Sequence, residues 1–210
     1  MQKIIVTLAL MLASQLLSAQ SAGETRISFV LTPQISWLKS DMDVVENKGS
    51  QLGYNVGLIV DRFFGDNYAF TTGITINASG GKLGYPELVQ GQSSIPAQQQ
   101  TYKLRYLEIP VGLKLRSEDM HRFNIYGRFG LSPQINIMAK NKDDNKIADE
   151  VKLLDLGYHI GGGVEYSLGG RNALMVGILF NNGFFDTTDR NGFDDKAILN
   201  RLVFEFGFIF

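Results

Sequence analysis

The 210-residue chain contains no cysteine, which excludes a disulfide framework and thiol chemistry. It has 2 histidines, so few side chains are candidates for a general base. Its 20 basic and 21 acidic residues leave a net charge of −1, and nothing indicates a nucleic-acid partner. Beyond the first residues, no apolar run reaches the about 20 residues of a membrane-spanning helix. The composition therefore excludes a helical membrane protein and a cysteine-dependent enzyme.

The N-terminal residues have the pattern of a secretory signal peptide. A positive residue precedes an apolar run over residues 4–17, and small residues follow it. This run is shorter than the about 20 residues that a transmembrane helix requires. We expect residues 1–19 to be the signal peptide, with cleavage after Ala22 as the alternative, and residues 20–210 to form one outer-membrane β-barrel domain. A buried N-terminal helix is the other interpretation of this run.

Most of the remaining chain alternates apolar and polar residues with a period of two, which is typical of strands with two different faces. The last stripe includes the terminal residue, Phe210. We predict eight strands, over residues 26–39, 51–62, 67–79, 101–116, 122–139, 151–168, 172–182 and 197–210. Short and long connections alternate between them, and an even strand number leaves no free edge. The predicted fold is all-β, an eight-stranded antiparallel up-and-down transmembrane β-barrel.

Alternation alone does not decide which face is inside, because a soluble lipocalin-like carrier would turn the apolar stripes inward. Most strand glycines lie on the polar face; they are Gly53, Gly57, Gly73, Gly112, Gly130, Gly157, Gly161, Gly163, Gly177 and Gly207. Small residues fit the narrow lumen of an eight-stranded barrel, so we predict a polar lumen and an apolar lipid-facing wall. Aromatic residues near strand ends would then form interfacial girdles; they are Tyr54, Tyr68, Tyr102, Tyr166 and Phe180.

Two features fit a closed barrel poorly. Pro33, Pro110 and Pro133 lie inside predicted strands, where proline removes a ladder hydrogen bond, so we expect bulges or positions outside the hydrocarbon zone. In the fourth strand, the apolar residues change from even to odd positions. This change predicts a bulge near Tyr106 and Leu107.

The fourth strand also carries a recognisable motif. Tyr106-Leu107-Glu108-Ile109-Pro110, with Lys114 four residues on, resembles the "YLEIP-x-x-x-K" strand of the PorT-like outer-membrane β-barrel family of Bacteroidota. The resemblance implies a barrel in the outer membrane of a Gram-negative cell. Some members of this family serve type IX secretion and gliding, which implies envelope or secretion-system proteins as partners. The terminal Phe210 resembles the C-terminal signal that the barrel-assembly machinery reads.

The polar face carries acids and bases in near balance. The acids are Asp61, Glu108, Asp155, Glu165 and Glu205, and the bases are Lys114, Arg116, Arg128 and Arg201, with His159 among them. Charges in a narrow lumen must be paired or hydrated, because an isolated buried ion costs several kcal/mol. We predict a lumenal charge network that plugs the barrel, formed by Glu108, Lys114, Arg128, Glu205, Arg116 and Glu165, with the first four nearest the middle. A narrow channel is the alternative function.

Two further candidate sites are weaker. His159, with Asp155 and Ser167 on the same face, is the candidate for the chemistry of a lipid-modifying enzyme. The last long loop, with Asp186, Asp189, Asn191, Asp194 and Asp195, resembles a calcium loop, but Thr187 and Ile198 replace two acids of the EF-hand frame. We therefore expect no enzymatic activity, no cofactor and no metal. The expected partners are outer-membrane lipid and envelope proteins around a monomeric barrel with a structural or accessory role.

Overall fold

The computed structural model describes residues 23–42, 44–90, 93–147, 150–188 and 196–210. The predicted signal peptide lies outside these ranges. Inside them the chain is dominated by β-strands, and no helix there is long and apolar enough to cross a membrane. The strand segments are β1 (Thr25–Ser40), β2 (Glu46–Gly65), β3 (Tyr68–Tyr85), β4 (Leu88–Gln90), β5 (Ser93–Ile95), β6 (Gln98–Glu108), β7 (Val111–Arg116), β8 (Phe123–Lys140), β9 (Leu154–Gly169), β10 (Asn172–Gly183) and β11 (Ala197–Ile209).

The main sheet closes on itself as a ring. Neighbouring strands pair antiparallel along the chain, and β1 pairs with β11 to complete the circle. β6 and β7 are consecutive segments of one strand, since both pair with β3 on one side and with β8 on the other. Counted this way, the nine segments of the sheet make a ring of eight strands. The predicted eight-stranded antiparallel barrel is confirmed.

Short and long connections alternate around the ring. Tight turns over residues 66–67 and 170–171 lie at the same end as the first residue of β1 and the last of β11, and we call this the turn end. The opposite end, with its longer connections, is the loop end. There β2 and β3 are longer than predicted. They remain paired with each other as far as Glu46 and Gly84, although the sequence of these additional residues no longer alternates. Two of the predicted loops are correspondingly shorter.

The side chains are distributed in the opposite way to those of a soluble barrel. Large apolar side chains point outward, with Phe29 44% exposed and Ile74 60% exposed. Charged side chains fill the interior, where Lys114 is 0% and Glu205 2% exposed. The glycine-bearing face is the inner face, as predicted. A soluble carrier would require the apolar stripes inside, so that alternative does not fit.

The prolines occupy interruptions of the strand ladders. Pro110 separates β6 from β7, and Pro133 lies beside it on β8, where the Ile109 N–H donates to the Pro133 carbonyl at 3.0 Å. Pro33 lies between the two paired stretches of β1 and β11. Because proline has no N–H to donate, Pro110 and Pro133 interrupt the hydrogen-bond ladder between their two strands at the same place.

A bulge lies at the level predicted for the fourth strand, near Tyr106 and Leu107, but the side chains of that strand do not change faces there. The even-numbered side chains of β6 and β7 point inward throughout, from Tyr102 to Lys114. A register shift does occur at this level, between Arg105 and Tyr106, but the additional residue is Ile137 on β8. The sequence pattern changes because the lumen itself becomes apolar towards the loop end.

Apolar side chains fill the loop end of the lumen. We call this cluster the apolar plug; it consists of Leu38, Val45, Leu83, Tyr85, Tyr102, Leu104, Tyr106, Ala139, Val151, Ala197 and Leu199. The hydroxyls of Tyr85 and Tyr102 form a hydrogen bond of 3.0 Å inside it. Tyr102 therefore does not belong to an interfacial girdle, contrary to the prediction, whereas Tyr54 and Tyr68 are exposed on the outer wall.

Candidate functional site

The turn end of the lumen holds buried charges around Lys114. Its Nζ lies 2.6 Å from Asp61 Oδ2 and 2.6 Å from Glu165 Oε1, and all three side chains are at most 2% exposed. The side chains of Arg116 and Arg26 approach Glu165 at 3.4 and 3.6 Å. We call these five residues the lysine cluster. Strands β1, β2, β7 and β9 each direct members inward, so the cluster ties opposite sides of the ring together.

Tyr126 covers the lysine cluster on its central side. Lys114 Nζ lies 5.0 Å from the Tyr126 ring centroid, and the Tyr126 hydroxyl donates to Glu205 Oε2 at 2.6 Å. Gly163 and Gly177 leave room for this side chain, because a Cβ on Gly163 would lie 2.8 Å from the hydroxyl and a Cβ on Gly177 would be closer still. Glycine is therefore needed where the Tyr126 side chain lies over its register partner Gly163 and over Gly177 on the next strand.

Two ion pairs span the middle of the lumen, and we call them the central pairs. Arg128 pairs with Glu205, and Arg201 Nη1 donates to Glu108 Oε2 at 2.9 Å. Asn77 Nδ2 donates to the same oxygen of Glu108 at 2.8 Å. The four charged side chains are at most 5% exposed. Each buried charge has an oppositely charged partner, which offsets the cost of removing it from water.

A small cavity lies between the central pairs. Its volume is about 40 Å³, and Glu108, Arg128, His159 and Glu205 are among the residues that line it. A water molecule needs about 10–15 Å³ of such volume, so the cavity has room for a few waters. His159 Nε2 and Arg128 Nη1 are buried without a hydrogen-bond partner among the described residues. The cavity thus combines apolar lining residues, such as Val30 and Leu179, with the charged side chains of the central pairs.

The structure does not assemble a catalytic triad from the predicted residues. His159 Nδ1 lies 2.9 Å from the Ser132 hydroxyl on the neighbouring strand. Asp155 instead accepts a hydrogen bond from Gln134 Nε2 at 2.8 Å. Ser167 lies eight residues beyond His159, which is roughly 26 Å along a strand, and it lines a cleft at the turn end. The arrangement is that of a polar histidine with a hydroxyl partner.

The six predicted network residues all lie inside the barrel, in two adjoining groups. Three of them belong to the central pairs and three to the lysine cluster; the former are Glu108, Arg128 and Glu205, and the latter Lys114, Arg116 and Glu165. Lys114 lies directly opposite Arg128 in the register of β7 and β8, so the lysine cluster adjoins the central pairs. Sequence reasoning did not single out Tyr126, Asn77 or Ser132. An aromatic residue on a glycine-rich polar face was the available signal for Tyr126.

Among the described residues, no group of three or more His, Cys, Asp or Glu side chains is placed to hold a metal ion. The predicted calcium-like loop lies mostly outside the described ranges, since it includes Asp189, Asn191, Asp194 and Asp195. Asp186, just before the gap, accepts hydrogen bonds from Lys152 Nζ at 2.7 Å and the Ala197 N–H at 2.8 Å. This carboxylate is used to join the last two loops.

A closed ring with an apolar outer wall and a charge-filled lumen has the architecture of a bacterial outer-membrane barrel. The family described as "Outer membrane protein beta-barrel domain" matches residues 18–189. The chain belongs to this family, which indicates a location in the outer membrane.

The solved structure of a small outer-membrane barrel shares this fold. Neisserial surface protein A (NspA) is 12% identical, covers 87% of this chain and 95% of its own, and superimposes with a TM-score of 0.53. The outer membrane protein OprG from Pseudomonas aeruginosa is 14% identical, covers 90% and 96%, and gives a TM-score of 0.48. At these identities the likeness concerns the fold alone. A search among curated proteins gave no significant match.

Proposed function

We propose that this protein is a closed, non-enzymatic outer-membrane barrel, plugged by its own side chains, with a structural or accessory role in the cell envelope. The observation that carries the proposal is the filling of the lumen at successive levels. The lysine cluster fills the turn end, the central pairs fill the middle and the apolar plug fills the loop end. The cavity between the central pairs, of about 40 Å³, has room for a few waters only.

A narrow channel is the rival function, because charged lumens can guide ions. The apolar plug opposes it, since an apolar constriction excludes the water that an ion needs. Five of its large members are at most 2% exposed; they are Leu38, Leu83, Tyr102, Tyr106 and Leu199. The central pairs oppose it as well, because each charge is already neutralised by its partner.

Planar-bilayer recording of the full chain tests the closed lumen. We expect no resolved openings from the wild-type protein, nor from Arg128→Gln or Glu205→Gln, since both variants leave the plug intact. A porin inserted into the same membrane shows that insertion and recording work. A reproducible conductance whose ion selectivity changes in either variant would establish a channel instead.

The non-enzymatic part of the proposal is supported by the burial of His159, which is 4% exposed inside the barrel wall. We expect His159→Ala to leave the lipid composition of the outer membrane unchanged. A lipid product that disappears in this variant would identify a lipid-modifying enzyme.

The accessory part of the proposal assigns partner contacts to the loop end of a monomeric barrel. Envelope or secretion-system proteins are the proposed partners, and the PorT-like motif over residues 106–114 makes the type IX secretion and gliding apparatus the first candidate. A pull-down of tagged protein from its own outer membrane in mild detergent tests this part. Stoichiometric envelope proteins would support it, whereas a lone monomer of about 21 kDa would leave a free-standing structural role.

The terminal Phe210 is proposed as the signal for the barrel-assembly machinery. Its side chain is 47% exposed at the turn end, and its N–H donates to the Ile27 carbonyl at 3.0 Å. We expect deletion of Phe210 to lower the yield of heat-modifiable barrel in cells. An unchanged yield would contradict this role.

A further inference from the structure

Three cationic side chains lie together on the outer wall near the loop end. Lys103 and Arg105 of β6 alternate with side chains of the apolar plug, so both point away from the lumen. Lys140 of β8 lies directly opposite Lys103 in the strand register, and therefore on the same side of the sheet. We call Lys103, Arg105 and Lys140 the basic cluster.

The basic cluster lines an open cleft of about 490 Å³. Ala78 and Ser79 of β3 and Leu52 of β2 line it as well. Arg105 pairs with Ala78 and Lys103 pairs with Gly80 in the strand register. Because these β3 residues are small, they leave space at the bottom of the cleft. The cleft is therefore wide enough for a headgroup rather than a single ion.

The protein neutralises only part of the positive charge of the cluster, through Asp144 at the edge of the cleft. Directly opposed like charges destabilise a strand pair, and Lys103 faces Lys140 in this way. Asp144 pairs with Lys103 at 3.1 Å, but no described carboxylate forms an ion pair with Arg105 or Lys140. Arg105 Nε is also buried without a hydrogen-bond partner among the described residues. The positive charges of Arg105 and Lys140 therefore have no negative partner among the described residues, and a dianion would match them.

An apolar row lies directly beneath the basic cluster, towards the middle of the barrel. Ile76, Leu107 and Ile135 are register partners on β3, β6 and β8, and all three point outward. Ile76 is 41% and Ile135 39% exposed. Cations above an apolar wall match the two parts of an anionic lipid, a charged headgroup and its acyl chains.

We propose that the basic cluster binds the phosphate group of an outer-leaflet lipid, with the acyl chains of that lipid against Ile76, Leu107 and Ile135. The Arg105 guanidinium binds two phosphate oxygens, and the two lysines act as point charges on the others. The bound phosphate removes the repulsion between Lys103 and Lys140. This proposal depends on the outer-membrane location of the barrel and not on whether its lumen conducts.

Native mass spectrometry of the full chain, delipidated in non-ionic detergent, tests the site. The probe is phosphatidic acid, whose phosphate monoester is exposed, and phosphatidylcholine with the same acyl chains is the comparison lipid. The test variant is K103Q/R105Q/K140Q. The matched control, K39Q/K48Q/K196Q, removes the same charge from other parts of the loop end.

We expect phosphatidic acid to bind the wild-type protein more tightly than phosphatidylcholine. Each cation near an anionic lipid contributes about fivefold in affinity, so the test variant loses on the order of 100-fold. The control variant stays within about threefold, and R105Q alone loses about fivefold. K103R/K140R, which keeps the charge, retains binding. Heat-modifiable migration shows that each variant is folded.

Equal losses in the test and control variants would overturn the proposal, because net charge alone would then explain the binding. Inorganic phosphate provides the second arm. If free phosphate displaces the lipid completely at equal concentration, the cleft is a site for a soluble anion and the lipid assignment is wrong. If it competes only weakly, the acyl chains contribute to binding as proposed.

Discussion

The two ends of the lumen are filled by opposite kinds of side chain. From the turn end to the middle, the lumen holds the lysine cluster and the central pairs, whereas at the loop end it holds the apolar plug. The outer wall changes in the opposite sense, from Ile76 and Leu107 to Lys103 and Arg105. Along β6 the strand therefore has apolar residues outside where lipid surrounds it, and apolar residues inside with charged residues outside above that level.

This difference between the two ends follows from the medium that surrounds the outer wall. In hydrocarbon the outer wall must be apolar, so polar residues of the alternating strand are left for the lumen. Above the hydrocarbon the wall meets headgroups and water, so the lumen can be packed with apolar residues as in a water-soluble core. The two halves then depend on different energies. Buried ion pairs fail when one partner is removed, whereas apolar packing weakens in proportion to the volume lost.

The largest effect is expected from removing the base at the centre of the lysine cluster. Lys114→Ala leaves Asp61 and Glu165 buried without their main partner, which costs about 3–5 kcal/mol of unfolding free energy. Urea unfolding in lipid vesicles, followed by heat-modifiable migration, measures this cost. Lys39→Ala, which removes an exposed lysine, is the matched control.

A second variant separates lost charge from lost packing in the same cluster. Lys114→Met combined with Asp61→Asn and Glu165→Gln removes all three charges together, so we expect it to be less destabilising than Lys114→Ala. If the single variant costs less than about 1 kcal/mol, the lysine cluster does not hold the turn end together.

A truncation in the apolar plug is expected to cost somewhat less and in a graded way. Leu83 is 0% exposed, and Leu83→Ala costs about 2–4 kcal/mol through lost burial and the cavity left behind. Leu83→Met, which nearly conserves the volume, costs less than about 1.5 kcal/mol. The same vesicle unfolding assay compares the two. Equal costs would show that packing is not what Leu83 contributes.

A smaller effect is expected where glycine makes room for Tyr126. A Cβ on Gly177 would contact the Tyr126 hydroxyl and lie 2.7 Å from the Gly162 carbonyl oxygen, so Gly177→Ala costs about 1–3 kcal/mol. Gly127→Ala is the control, because its Cβ would meet nothing closer than 3.8 Å. Tyr126→Phe should recover part of the loss in the Gly177→Ala background. If Gly177→Ala lowered the unfolding free energy by no more than Gly127→Ala does, the close contact between residue 177 and the Tyr126 hydroxyl would be contradicted.

The smallest effect is expected from an ion pair outside the lumen. Lys152 and Asp186 pair at 2.7 Å in the loops, with Lys152 43% exposed. Lys152→Gln should cost about 0.2–1 kcal/mol, and added salt should abolish the difference. A salt-independent cost above this range would show that the loops are more tightly coupled to the barrel than this pair suggests.

Much of the architecture could be predicted from the sequence, because a period of two is a local signal. The eight strands and the inner position of glycines such as Gly163 and Gly177 follow from alternation and from the size of the lumen. The change of apolar phase in the fourth strand was also visible. A bulge does occur at that level, but the change of phase marks where Tyr102 and Tyr106 enter the plug while Lys103 and Arg105 face outward.

The candidate site was less predictable. Inward charges such as Glu108 and Glu205 were recognisable as a set, since polar residues on the lumenal face must be paired. Their partners depend on strand register around a closed ring, which one sequence does not reveal. For the same reason Ser132 was missed as the partner of His159, whereas Asp155 on the same strand was chosen.

Accessibility of a single cysteine in the middle of the lumen tests the closed barrel most directly, since the chain has no cysteine of its own. Thr75 lines the central cavity, is 2% exposed, and its hydroxyl has no hydrogen-bond partner among the described residues. Thr75→Cys should remain unmodified by a small charged thiol reagent added to both sides of the membrane. Asn145→Cys in an exposed loop should react fully in the same time. Reaction of Thr75→Cys at a rate within about tenfold of this control would contradict a lumen sealed by its own side chains.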